Sequence, residues 1–224
     1  MTSSNPAVFN NPKHSDVVLQ FGDHRIHAHK VVLRMWSPFF ERTFNSKFPV
    51  AESNTFIIDS EDDADYEPLL AILMHIYGMP LCRHPHNDPS VDLFYPGLLD
   101  FWLKVYVLAD KYDVPSVRVA VITLLGIKFK VDELDALRYH AFRIEIPHLP
   151  DFIAQICGPD APQLADTCMR NHMFEWLFNN FILVSEDKDF IMKLEDGSLL
   201  DTELTARLLL RLAGRMKRLR AKKV

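Results

Sequence analysis

Glycine is scarce in this chain, with 7 residues in 224 against 16 phenylalanines. So little glycine does not suit a loop-rich scaffold of tight turns, and the phenylalanines call for a packed core. Cysteine is scarcer still. Cys82, Cys157 and Cys168 are odd in number and far apart, which argues against a disulfide framework and fits reduced thiols in a cytoplasmic or nuclear protein. No apolar run approaches the roughly 20 residues that a membrane span needs. The start, MTSSNPAVFNNPKHSD, has no basic segment leading into an apolar one, so no secretory signal is expected. There is no G-x-S-x-G elbow and no glycine-rich phosphate loop, which removes the local signatures of a hydrolase nucleophile and of nucleotide binding. No internal repeat or low-complexity tract is present.

What is present is ordinary in amount and uneven in placement. Hydrophobic residues make up 48% and charged residues 25%, the balance of a soluble globular protein. The length suits one large domain or two small ones. The net charge is −5, yet the last fourteen residues, RLAGRMKRLRAKKV, hold seven Lys/Arg and no acid. The rest then carries 18 basic against 30 acidic residues, a balance of −12. An acidic body of this kind argues against a nucleic-acid-binding domain.

Residues 1–14 are polar and carry Pro6 and Pro12, and a flexible N-terminus is expected. DVVLQF (16–21) alternates Val17, Leu19 and Phe21 with Val18 and Gln20, a strand pattern in which Val18 suggests burial on both faces. Gly22-Asp23 signals a tight turn into a second strand, RIHAH (25–29), with Ile26 and Ala28 on one face and Arg25, His27 and His29 on the other. From Lys30 the period becomes helical through Val32, Trp36, Phe39 or Phe40, and Phe44. Ser37-Pro38 divides that stretch in two, serine as N-cap and proline at the first helical position.

Residues 45–54 are expected as a loop and TFIID (55–59) as a short strand. Ser60 is expected to cap a helix with an acidic first turn (Glu61, Asp62, Asp63) and a stripe of Leu69, Ile72, Leu73 and Ile76, ended by Gly78. Four prolines mark 79–97 as a loop insertion. Helical spacing returns over 98–114, and Pro115 begins the next helix. Beyond about 130 there is no strand signal, and helices are expected near 131–143, 151–157, 163–183, 186–195 and 202–220. The layout is an α+β domain over 15–130 followed by an all-α extension over 131–224 with a basic tail.

Three clusters invite chemistry. HRIHAH (24–29) places three histidines in six residues, with His27 and His29 on one strand face and His24 in the turn. Zinc needs three or four ligands, and nothing in the sequence brings this cluster to Cys82, His84 and His86. Packing and hydrogen bonding at a strand-to-helix junction weigh more than a metal-dependent enzyme. The acids Glu61, Asp62, Asp63 and Asp65 read as a solvated, capped helix start. In the tail, Leu204, Leu208, Leu212, Met216 and Leu219 share one helical stripe with basic residues opposite. Lys217, Arg218, Arg220, Lys222 and Lys223 make a candidate nuclear import signal.

The order of elements and its local wording resemble the BTB/POZ family. Asp16-Val17 opens the first strand. His27-Ala28-His29-Lys30-Val31-Val32-Leu33 matches the family's H-x-H-[KR]-x-x-L junction. Ser37-Pro38-Phe39-Phe40, with Phe44, matches its S-x-x-F helix start, and Phe56 to Asp59 its third strand. Leu73, Ile76, Tyr77 and Gly78 match its L-x-x-[IL]-Y-[ST]-G helix end, with Met79 following. Leu108-Ala109-Asp110-Lys111-Tyr112-Asp113-Val114 matches its L-A-x-[KE]-Y-x-[VI] helix. The match covers about residues 14–128.

The resemblance implies a short mixed sheet flanked by helices, and a protein-interaction module that is no enzyme and uses no cofactor or small-molecule substrate. In the family an acid at the strand start and a base at the junction form a charged pocket at the dimer groove, here Asp16 and Lys30. Some transcriptional members use that groove for corepressors. Members that recruit a cullin scaffold carry a hydrophobic-x-Glu motif. The segment Lys47-Phe48-Pro49-Val50-Ala51-Glu52 offers Phe48 as anchor, with the acid, Glu52, two residues later than the motif has it. Members that dimerise by strand exchange carry a further helix before the first strand. The fifteen residues before Asp16, with two prolines, favour a smaller self-association interface or a monomer. Expected partners are therefore proteins: a cullin as ligase adaptor, or alternatively nuclear regulatory factors without ligase coupling.

Overall fold

A computed structural model of the protein describes residues 8–58, 66–81, 98–128 and 148–221. It divides into two compact units, residues 1–123 and 124–224.

In the first unit, strand β1 (Val17–Phe21) pairs antiparallel with β2 (His24–Ala28), Phe21 facing His24 across the two-residue turn. Gly22 takes φ 52° there, a conformation that glycine adopts without steric cost. Strand β3 (Thr55–Ile57) lies parallel on the other side of β1, giving the order β2-β1-β3. A parallel partner needs a crossover, supplied here by helices α1 (Lys30–Trp36), α2 (Pro38–Phe44) and α3 (Pro49–Glu52). The sheet buries one face through Val17, Leu19, Phe21, Ile26 and Ala28. Val18 is only half-buried, so the expected burial of β1 on both faces does not hold: a small three-stranded sheet is covered on one side here.

Ser37 ends α1 and caps α2, with its Oγ accepting from the Phe40 amide at 3.1 Å and Pro38 in the first turn. The same hydroxyl donates to the Tyr112 carbonyl at 2.6 Å. Around it Phe40 stacks on Phe44 and Tyr112, and meets Phe56 edge-on at 5.5 Å. This aromatic cluster is the centre of the unit, with offset and edge-on contacts that aromatic quadrupoles favour.

Helix α4 (Tyr66–Ile76) buries Leu69, Ile72, Leu73 and Ile76. Gly78, at φ 81°, closes it: the Gly78 amide bonds His75 O and the Met79 amide bonds Met74 O, the paired bonds of a Schellman end. Helices α5 (Leu98–Lys111) and α6 (Pro115–Lys128) follow. The expected cap Ser60, the acidic run 61–65, Cys82, His84, His86 and the helix near 131–143 lie outside the described residues.

Two helical expectations are corrected. The 45–54 loop contains α3, because Pro49 can start a turn of helix without an amide to satisfy. In α1 it is Leu33 that is buried, while Val32 is half-buried and Trp36 exposed. A seven-residue helix has room for little more than one inward side chain.

The second unit contains α7 (Leu149–Cys157), α8 (Cys168–Val184), α9 (Lys188–Glu195) and α10 (Thr202–Ala221). Phe152, Ile153, Phe174, Leu177, Phe190 and Leu199 form its core. No strand occurs among its described residues. Burial pushes the Cys157 thiol up to about 12, so it acts as a small apolar side chain.

Candidate interaction surfaces

The junction from β2 to α1 is held by hydrogen bonds from both sides. The Lys30 amide donates to Asp16 Oδ1 at 2.7 Å, so the carboxylate satisfies a donor in the first turn of α1. The His27 amide donates to Asn10 Oδ1 at 2.9 Å, and its ring Nδ1 lies 3.3 Å from Ser15 Oγ. The His29 amide donates to the Tyr77 hydroxyl at 2.9 Å, and the His29 Nδ1 is as close to the same oxygen. His24 stacks on Tyr66 with ring centroids 3.7 Å apart. Each of these three histidines thus has a local partner, from the segment before β1 or from the two ends of α4. Among the described residues, no three His, Cys, Asp or Glu converge as metal ligands would.

Tyr77 is the clamp. Burial pushes its hydroxyl up to about 12, while the His29 amide bond pulls it down and the Asp16 charge raises it further. The hydroxyl therefore stays neutral across the ordinary pH range while it accepts from the His29 amide.

Asp16 and Lys30 do not form the charge pair that the resemblance implied. The Asp16 carboxylate takes the Lys30 backbone amide, and the Lys30 ammonium goes elsewhere. Its Nζ donates to the Ala51 carbonyl at 2.8 Å and sits 5.4 Å from the Phe44 ring centre. The correction has a simple cause: α3 brings an unpaired helix-end carbonyl within reach of the lysine, and the aromatic face of Phe44 adds a cation–π contact. Lys30 therefore ties the junction to the 48–52 segment.

That segment displays its aromatic. Phe48 precedes α3 as its N-cap and is 72% exposed, and Glu52 at the far end is exposed as well. Three residues separate them, with Phe48 extended just before the helix and Glu52 its last residue. The sequence did not single out Val31, Met35 and Ile57, which are also exposed apolar residues. The first two are four apart on α1, on the side opposite Leu33. A stripe at i and i+4 was the available signal, but in so short a helix either stripe could have faced inward.

In the second unit the apolar stripe expected along 202–220 is buried only at its start. Leu204 and Leu208 are covered, Leu212 is half-buried, and Met216 and Leu219 are exposed. Asp201 caps α10 by accepting from the Leu204 amide at 2.9 Å, and it pairs with Arg170. Arg207 and Arg211 both grip Glu175 of α8 and lie over Phe174 and Phe178, 4.3 and 4.0 Å from their ring centres. The hydrogen bond from Arg211, with the charge of both arginines, holds the Glu175 carboxyl below the usual range. These anchors end at Arg211, and beyond the half-buried Leu212 the stripe is exposed at Met216 and Leu219. Lys217, Arg218 and Arg220 are exposed on that last stretch, while Lys222 and Lys223 lie outside the described residues. No described helix is long and apolar enough to cross a membrane.

A family model described as BTB/POZ domain matches residues 7–125, just over half of the chain. Among curated proteins none matches it.

Proposed function

We propose, from the premise that the chain belongs to the BTB/POZ domain family, that it is an adaptor whose first unit docks a cullin-type ubiquitin-ligase scaffold through Phe48. Membership makes the chain a protein–protein interaction module in general terms; the scaffold and the docking residue are our reading. The observation that carries it is the exposure of Phe48 on a short turn held in place by Lys30. A large aromatic left in water on a fixed segment supports an anchor for a partner pocket. Glu52, exposed at the end of α3, supplies an acid two residues later than the family's motif has it. The helical unit then takes the client.

The test is a pull-down with the N-terminal domain of a cullin scaffold. A phenylalanine buries about 150–250 Å² when fully covered. At the observed exposure roughly 110–180 Å² is available, worth at most about 4.5 kcal/mol at ~25 cal/mol/Å². Allowing for the alanine methyl and incomplete coverage, Phe48→Ala should weaken capture by about 2–3 kcal/mol, some 30- to 150-fold. Fold stability should change by less than about 0.5 kcal/mol. Capture by the variant at wild-type strength would remove the cullin reading.

A second reading, a nuclear scaffold without ligase coupling, draws on the exposed Lys217, Arg218 and Arg220. Deleting residues 215–224 should then shift the protein from nucleus to cytoplasm, and unchanged localisation would remove it. Self-association is supported by Val31 and Met35. Met35→Glu should abolish any dimer seen by light scattering, and a dimer that persists places that interface elsewhere.

A further inference from the structure

We propose that the C-terminal half of α10 is a docking helix for an acidic amphipathic helix of a partner protein. The helix is fixed at one end and open at the other. The Asp201 cap, buried Leu204 and Leu208, and the Arg207 and Arg211 grip on Glu175 anchor its first half. From residue 215 to 221 every residue is exposed. Leading into this open part and along it, Leu209, Leu212, Met216 and Leu219 follow one another at spacings of three, four and three. Those are the a and d positions of two successive heptads. Leu209 is 63% exposed, and Met216 and Leu219 are each 57% exposed, while Leu212 is half-buried.

The charges beside this seam choose the occupant. In the same register Arg215 falls at g and Arg220 at e, with Lys217 and Arg218 behind them. After Glu203 the helix carries no acid. Pairing two copies of this helix would set arginine against arginine in either orientation, and like charges at e and g oppose association. A helix with carboxylates at e and g meets them with opposite charge and covers the same apolar seam. A bilayer is a poorer match, because the apolar arc is narrow and contains no aromatic residue. Two heptads are short for a coiled coil. Here, however, the first half of α10 has already paid the cost of starting the helix, so the seam is presented preformed. None of this depends on the reading of Phe48.

The experiment uses the full chain and a labelled synthetic peptide of about three heptads with Leu at a and d and Glu at e and g. Fluorescence anisotropy should show saturable binding, at least about tenfold tighter than to the matching peptide with Lys at e and g. Met216→Asp and Leu219→Asp, at exposed positions, should each weaken binding about tenfold or more while leaving the thermal transition unchanged. The double variant Arg215→Glu, Arg220→Glu should reverse the preference between the two peptides. No saturable binding, or binding unaffected by Leu219→Asp, would overturn the proposal. So would sedimentation with phosphatidylcholine vesicles carrying about 30 mol% phosphatidylserine at a concentration where the Glu peptide is not bound. Self-association of the chain that Leu219→Asp abolishes would overturn it too, by assigning the seam to a second copy.

Discussion

Ser37→Ala is the sharpest stability test of the first unit. Ser37 is fully buried, the only polar residue in the described core to be so, and its hydroxyl serves two elements at once. It accepts from the Phe40 amide at the start of α2 and donates to the Tyr112 carbonyl just beyond α5. Loss of the cap costs about 1 kcal/mol. Stripping a buried carbonyl of this donor costs about 1–3 kcal/mol more. The cavity left is smaller than a methyl group and adds little. The sum is about 2–4 kcal/mol. With a urea slope of about 1–3 kcal/mol/M, the unfolding midpoint of this unit should fall by roughly 1–2 M. Two units need not unfold together, so the assay should be amide hydrogen exchange along a urea series, which reads each separately. Protection should drop in α1, α2 and α5 and persist in α8. A loss below about 1 kcal/mol, or an equal loss in α8, would refute the claim that this hydroxyl joins α2 to the end of α5.

Tyr77→Phe removes the acceptor for the His29 amide and should cost about 1–3 kcal/mol by chemical denaturation. Because burial raises the Tyr77 hydroxyl from 10.0 to about 12, its neutral form contributes stability that is complete below pH 10 and fades as pH rises toward 12. The variant should show a flatter stability profile in that window, and an unchanged profile would contradict the burial of this hydroxyl. Glu175 has the opposite sign: its folded carboxyl is held low, so its contribution is present above the ordinary carboxylate range and is lost as pH falls. Glu175→Gln should make the second unit less sensitive to acid, by about 1 kcal/mol or less because the pair is partly exposed; thermal melts at neutral and acid pH check this.

The parts of the fold legible in the sequence are those fixed by neighbours along the chain. The turn at Gly22-Asp23, the Ser37-Pro38 break, Gly78 after α4 and Pro115 at the start of α6 each follow from the backbone preferences of one or two residues. The fate of Lys30 was not legible, because its ammonium answers to a carbonyl on α3, a turn of helix that the polar, proline-containing segment did not announce. The inward stripe of α1 was misread for the same reason: a helix of seven residues leaves the choice of face to whatever packs alongside. In α10 the helical stripe of Leu204, Leu208, Leu212, Met216 and Leu219 was plain, but its covered and open halves differ by where Glu175, Phe174 and Phe178 stop, which lies on another helix. The exposure of Phe48 shares this origin, since Pro49 and the Lys30 tether hold the turn outward.

The proposed cullin docking at Phe48 is tested most directly by mapping contacts along the chain. Amide hydrogen exchange of the full protein, with and without that domain at saturating concentration, reads this without any mutation. Slowed exchange centred on residues 47–53 is predicted, with α8 and α9 unchanged. Saturating scaffold that leaves residues 47–53 as fast as in the protein alone would contradict it.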